Sequence, residues 1–135
     1  MSDDDAIAAV VERAYAALEF EPGAEPDWAL FDSAFAPEAI LALRVFPEDP
    51  HISVMGLLAY AESQMRNDLG EQGYSETPGV GSTEVIGDVA VVRQPFTMNF
   101  ADRAVAAIDV FSLVRNAGAW KVVAVVSDTV ASKSA

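Results

Sequence analysis

Near Gly70 the hydrophobic pattern of this chain changes period, and that change limits the folds open to it. Before it, apolar residues recur at helical spacing; after it, they alternate. Ile7, Val10, Val11, Ala14, Tyr15 and Leu18 follow the i, i+3, i+4 spacing of one buried helix face. Asp3, Asp4 and Asp5 lie at the start of that helix, where its dipole favours negative charge, and Pro22-Gly23 ends it. A second, shorter helix is expected from Pro26-Asp27, with Trp28, Phe31 and Phe35 on one stripe and a stop before Pro37. Residues 39–46 are too continuously apolar for a solvent-facing strand and read as a buried one. Gly56, Leu57, Leu58, Ala61, Met65 and Leu69 then mark a third helix that starts at Gly56 and stops at Gly70.

Beyond Gly70, residues 74–77, 82–86, 89–100, 104–115 and 119–130 read as strands. Gly87-Asp88 is a two-residue hairpin signal, and Asn116-Ala117-Gly118 a three-residue one with glycine where positive φ is needed. Pro95 interrupts the long third segment and points to an edge or a bulge. Helices first and an antiparallel meander after imply an α+β fold, three N-terminal helices covering one face of a sheet. Pairing Arg115 with Ala119 puts Asp109, Phe111, Val123, Val125 and Ser127 on one face, and Ile108, Val110, Val122, Ala124 and Val126 on the other. Both faces are apolar. The helices can cover only one, so a homodimer through the other face is expected.

A length of 135 residues suits one domain, with an ordered core over about 6–130. Hydrophobic residues make up 52% of it, too many for a disordered chain, yet no run approaches the roughly 20 apolar residues that span a bilayer. The acidic start Met1-Ser2-Asp3-Asp4-Asp5 lacks the basic region of a secretory signal, which implies a cytoplasmic protein. With no cysteine and a single histidine, His51, neither disulfides, thiol catalysis nor a zinc site is expected. The net charge of −13 repels phosphate backbones and anionic lipid, so neither nucleic acid nor a membrane surface is expected as partner. Gly79-Val80-Gly81 precedes a strand rather than a helix, so no nucleotide cofactor is implied, and no cofactor of any kind is expected.

Several phrases, taken in order, resemble the nuclear transport factor 2-like superfamily. Tyr15-Ala16-Ala17-Leu18 is similar to the tyrosine-bearing end of that superfamily's first helix, and Phe35-Ala36-Pro37-Glu38-Ala39 to its short-helix exit into the first strand. Gly56 with Ala59-Tyr60 resembles the start of its third helix. Residues 107–111 followed by 118–123, from Ala107 and Gly118 respectively, look like its closing hairpin. The resemblance spans roughly residues 6–130 and implies a strongly curved sheet wrapped on helices, a cone with an apolar pocket. It says little about function, because members range from ketosteroid isomerase and polyketide cyclases to binding domains of unassigned role.

By that resemblance Asp109 matches the pocket aspartic acid of ketosteroid isomerase, and Tyr15 its oxyanion tyrosine, so the two are the candidate catalytic pair. The isomerase's general base would fall at Leu43 and a second pocket tyrosine at Phe35, and neither residue can take the role. Trp28 and Phe31 of the second helix, with Phe111, Val125 and Ser127 on the face of Asp109, are the candidate ligand contacts. The leading expectation is a domain that binds a small hydrophobic molecule in its cone. The alternative is a cofactor-independent isomerase, lyase or cyclase acting on a hydrophobic carbonyl compound. His51 lies in a turn-like stretch after Pro47 and Pro50. Arg93 is expected either to meet a ligand carboxylate or to pair with Glu84.

Overall fold

The computed structural model describes residues 2–130. The chain order is α1 (Asp3–Leu18), α2 (Trp28–Ser33), β1 (Phe35–Leu43), β2 (Ser53–Met55), α3 (Leu57–Gln64), α4 (Leu69–Gln72), β3 (Ser75–Pro78), β4 (Ser82–Ile86), β5 (Val89–Phe100), β6 (Arg103–Asn116) and β7 (Ala119–Thr129). The strands form one sheet in the order β2-β1-β7-β6-β5-β3, with β4 also pairing β5. All its pairings are antiparallel except that of β1 with β7. The curved sheet is not closed, and its concave face holds the core against the helices. This is the α+β arrangement the period change implies, with four helices in place of three.

Helix α1 starts as its sequence requires. The Ser2 hydroxyl accepts the Asp5 N–H at 3.1 Å, and three aspartates occupy the first turn. Its expected face is buried in full: Ile7, Val10, Val11, Ala14, Tyr15 and Leu18 all lie in the core. Asp27 caps α2 through the Leu30 N–H, but Phe35 is not helical. The Val122 N–H donates to the Ala34 carbonyl at 2.9 Å, and Phe35 pairs with Val122. The ladder with β7 therefore draws the backbone extended five residues upstream of the interruption at Ile40.

Helix α3 starts after Gly56 as expected but ends at Gln64 rather than at Gly70. Asn67 and Asp68 take left-handed φ of 59° and 58°, which their short polar side chains tolerate, and this breaks the helix. Gly70 lies inside the short α4, and the terminating residue is Gly73 at φ 78°, its position crowded by Pro22 and the Phe20 carbonyl. Tyr74 follows directly, bridged to Phe20 by two backbone hydrogen bonds of 3.0 and 3.1 Å.

Pro95 sits where β5 can accommodate it. On its β6 side it pairs with Ile108, while on the other side the pairing with β4 stops at Arg93 and that with β3 starts at Phe96. Its carbonyl points into that gap and accepts from the Gly79 N–H at 2.9 Å, so its missing N–H faces the same gap, where no ladder partner is required.

The β6–β7 turn has two residues rather than three. Ala117 and Gly118 both have positive φ, and Asn116 pairs with Ala119. A register shift beyond Leu113 then leaves Val123 without a partner. As a result Val122, expected on the outer face, points inward opposite Leu113, and both are completely buried. Asp109, Phe111, Val125 and Ser127 share the inner face as expected, whereas Val110 and Val126 stand outside, 37% and 55% exposed.

Candidate functional site

The concave face encloses a cavity of about 50 Å³, room for roughly four waters or a ligand portion of similar size. Its walls are mostly apolar: Phe31 and Phe35 from the α2–β1 junction, Leu41 and Leu43 of β1, Phe96 and Met98 of β5, and Phe111 and Val125 of the closing hairpin. Phe31 stacks on Tyr60 with centroids 5.5 Å apart, and Tyr15 meets Phe96 at 5.5 Å and Phe111 edge-on at 5.8 Å.

Polar groups enter this lining from five elements. Tyr15 of α1 donates to Asp109 Oδ2 of β6 at 2.8 Å, a contact that closes 94 residues of sequence. Ser127 of β7 pairs with Asp109 in the ladder and donates to the Ile108 carbonyl at 2.9 Å. Glu76 of β3 also lines the cavity, and its Oε2 accepts a short hydrogen bond from the Tyr74 hydroxyl. Tyr60 and Gln64, one turn apart on α3, complete the set, 4% and 2% exposed. At the most exposed part of the lining, Arg44 meets Asp128 at 3.2 Å and donates to the Asp49 carbonyl at 2.7 Å.

Two carboxyls in one apolar cavity cannot both keep ordinary acidity. Burial pushes Glu76 up to about 8, and the charge of Asp109 adds to the rise; the hydrogen bond from Tyr74 opposes it. Burial likewise pushes Asp109 up to about 6, against the hydrogen bond from the Tyr15 hydroxyl, which favours its ionised form. The two titrate as a pair, retaining about one proton near neutral pH. Tyr15, Tyr60 and Tyr74 are all raised well above the usual phenol value, chiefly by burial, and stay protonated.

The structure thus brings together Asp109, Tyr15, Phe31, Phe111, Val125 and Ser127 from the expected set. Trp28 stands behind the lining: it packs edge-on against Phe31 and Tyr60 at 5.6 and 6.3 Å and borders a groove on the outside. Leu43 and Phe35 both face the cavity, so the carboxylate and hydroxyl of the isomerase pattern are missing from inside it. His51 is exposed in its turn. Arg93 lies exposed on the convex face opposite Ser82, and among the described residues it forms no ion pair with Glu84 or any other acid. Sequence reasoning misses Glu76, Tyr60 and Gln64. The signal for Glu76 lies in strand parity, since it stands two residues from the buried Tyr74 and shares its face.

Among the described residues, no helix is long and apolar enough to cross a membrane, and no three potential ligand side chains are grouped to hold a metal ion. The solved structures similar to this one include a nuclear transport factor 2-like protein of unknown function from Shewanella baltica, with 15% identity and a TM-score of 0.69 over 96% of this chain and 95% of that one. A protein of unknown function with a cystatin-like fold from Nostoc punctiforme gives 15% identity and a TM-score of 0.73, covering 96% and 92%. A nuclear transport factor 2-like protein with a cystatin-like fold from Novosphingobium aromaticivorans gives 15% and 0.72, covering 97% and 84%. No curated protein matches the chain. A family model described as "Putative lumazine-binding" matches residues 2–126. The chain therefore belongs to that lumazine-binding-like family, within the nuclear transport factor 2-like superfamily.

Proposed function

We propose that this protein binds a small, largely hydrophobic molecule in the cavity of its cone. The observation that carries the reading is the convergence of Tyr15, Asp109, Glu76, Tyr60 and Gln64 on one space whose remaining walls are apolar and aromatic. The family description is compatible with such a ligand. Lumazine is a flat heterocycle with ring N–H donors, which carboxylates can accept, and with carbonyls that tyrosines can meet. At about 50 Å³ the cavity is far smaller than the pockets that hold drug-sized ligands, so a larger molecule needs the side chains around Arg44 and Asp128 to move.

A filled cavity tests this directly. Ala107 lines the space and is 3% exposed, so Ala107→Leu adds three carbons into it. Small molecules that raise the melting temperature of the wild type are expected to lose most of that effect on Ala107→Leu, folding being checked by circular dichroism. Equal shifts in both proteins would place binding elsewhere.

A cofactor-independent isomerase, lyase or cyclase is the second reading, and Glu76 favours it by supplying a carboxyl that the Leu43 position lacks. Against it, the single proton of Tyr15 is committed to Asp109 and is not free to meet an oxyanion. Under the enzyme reading, Tyr15→Phe and Asp109→Asn both abolish turnover with the fold intact; unchanged turnover in both removes it.

The convex face of the sheet carries a further proposal. Val54, Val126, Val110 and Ile40, between 37% and 68% exposed, lie on neighbouring strands and are uncovered, which supports a homodimer through this face. Light scattering is expected to give twice the chain mass at micromolar concentration, and Val126→Lys to give the monomer. A wild-type monomer would contradict it.

A further inference from the structure

The charge inside the cavity is unbalanced in a way that identifies what it can hold. Three carboxyls, Asp109, Glu76 and Asp128, line it, and the one cation among its lining residues, Arg44, is taken by Asp128 and the Asp49 carbonyl, which leaves Asp109 and Glu76 without a cation. Neither histidine nor lysine lines it. The aromatic rings of Tyr15, Phe31, Tyr60, Phe96 and Phe111 form much of the wall, and ring faces attract a desolvated cation.

Tyr60 supplies an independent sign that the wall presents an open polar group. It is 4% exposed, and its hydroxyl hydrogen-bonds no described residue, although every sealed side-chain polar atom in the described part of the molecule has a partner. The Tyr60 hydroxyl therefore opens onto the cavity space.

Resting on the reading of this cavity as a binding site, we infer that its ligand carries a small organic cation, an ammonium held between Asp109 and Glu76 against the aromatic wall. The ammonium donates to the two carboxylates and to the Tyr60 oxygen, while its alkyl portion meets Phe96 and Phe111. The overall charge of −13 draws such a ligand toward the protein. Binding displaces the proton that the carboxyl pair retains, which passes to solvent. The charged and titratable groups around the pair are Tyr15 from α1, Arg44 after β1, Tyr60 from α3, Tyr74 before β3 and Asp128 from β7. The three tyrosines stay protonated through the neutral range, and Asp128 is held low by Arg44. The pH dependence of binding is thus set by Asp109 and Glu76. Affinity is expected to fall by about tenfold for each pH unit below about 8, as Glu76 takes up its proton.

The probes are n-butylammonium and its uncharged analogue 1-butanol, titrated into the wild-type protein and followed by amide chemical shifts in two-dimensional NMR. The expected result is perturbation around Tyr15, Tyr60, Glu76 and Asp109, with n-butylammonium at least about tenfold tighter than 1-butanol at pH 8.5, equivalent to one bound ion pair. Glu76→Gln should reduce the ammonium affinity about tenfold or more, with Asp109→Asn as the second variant should the first fail to fold. Glu84→Gln, which removes an exposed carboxylate on β4, should leave it unchanged. If 1-butanol enters the cavity as tightly as n-butylammonium, the cation inference is overturned and the binding-site reading stands. Absence of cavity perturbation by both probes overturns both. Equal weakening by Glu84→Gln and Glu76→Gln assigns the attraction to the surface field and overturns the inference.

Discussion

Glu76→Gln is expected to stabilise this protein by on the order of 2 kcal/mol at pH 8.5 and to change its stability little at pH 4. The folded-state value of Glu76, about 8, lies above the 4.5 of a free glutamate. Below about pH 4.5 the carboxyl is protonated in the folded and unfolded chains alike, and burying it carries little penalty. Between about 4.5 and 8 the unfolded chain gives up a proton that the folded one keeps, so stability falls as pH rises. Above 8 the folded protein holds a half-buried carboxylate beside Asp109, and the penalty is present in full. Glutamine has nearly the same shape, accepts from Tyr74 and carries no charge. Urea denaturation of wild type and variant at both pH values isolates the difference, since the general repulsion among the other surface carboxylates is common to both. Destabilisation of equal size at both pH values would mean that the Glu76 carboxylate is held by its hydrogen bonds rather than strained by its surroundings.

Leu113→Ala should be strongly destabilising, by about 2–5 kcal/mol in urea or thermal denaturation. Leu113 has no exposed surface and packs opposite Val122, which also has none, at the register shift that turns β7. Removing its three terminal side-chain carbons leaves a void that two ladders hold open. The same region yields a contrast specific to the observed register. Val122→Ala is expected to cost about 2 kcal/mol and Val123→Ala well under 1 kcal/mol, because the shift turns the first inward and leaves the second half-exposed. A larger loss at Val123 than at Val122 would mean that β7 pairs with β6 without that shift.

The parts of the fold that the sequence makes legible are those decided locally. Helix α1 is specified by apolar spacing, aspartates and a serine cap within 18 residues, and each cue agrees with the others. Asp109 and Tyr15 are legible for a different reason: the resemblance to ketosteroid isomerase pairs them, and a lone carboxylate among Ile108, Val110 and Phe111, which demands a partner, agrees with it. What escapes is set by pairing between distant segments. Phe35 reads as helical because its spacing from Phe31 is helical, but β7 pairs with it and prevails. Val122 changes face through a single unpaired residue, an event that alternation alone does not encode. Arg66-Asn67-Asp68 contains a visible helix-breaking signal in its two αL-tolerant residues, which the apolar stripe through Leu69 obscures. Glu76 escapes because charged residues on a short edge strand ordinarily face water. Only the closure of β3 onto β5, with Glu76 opposite Met98, turns it toward Asp109's cavity.

The central claim is that Asp109 and Glu76 share one cavity and one retained proton. Carboxyl ¹³C shifts of protein labelled at aspartate and glutamate, followed from pH 3 to 10, test it most directly. The account predicts two carboxyls titrating well above the ordinary range, near 6 and 8, with the higher midpoint falling in Asp109→Asn. Titration of every carboxyl between about 3 and 5 would contradict it.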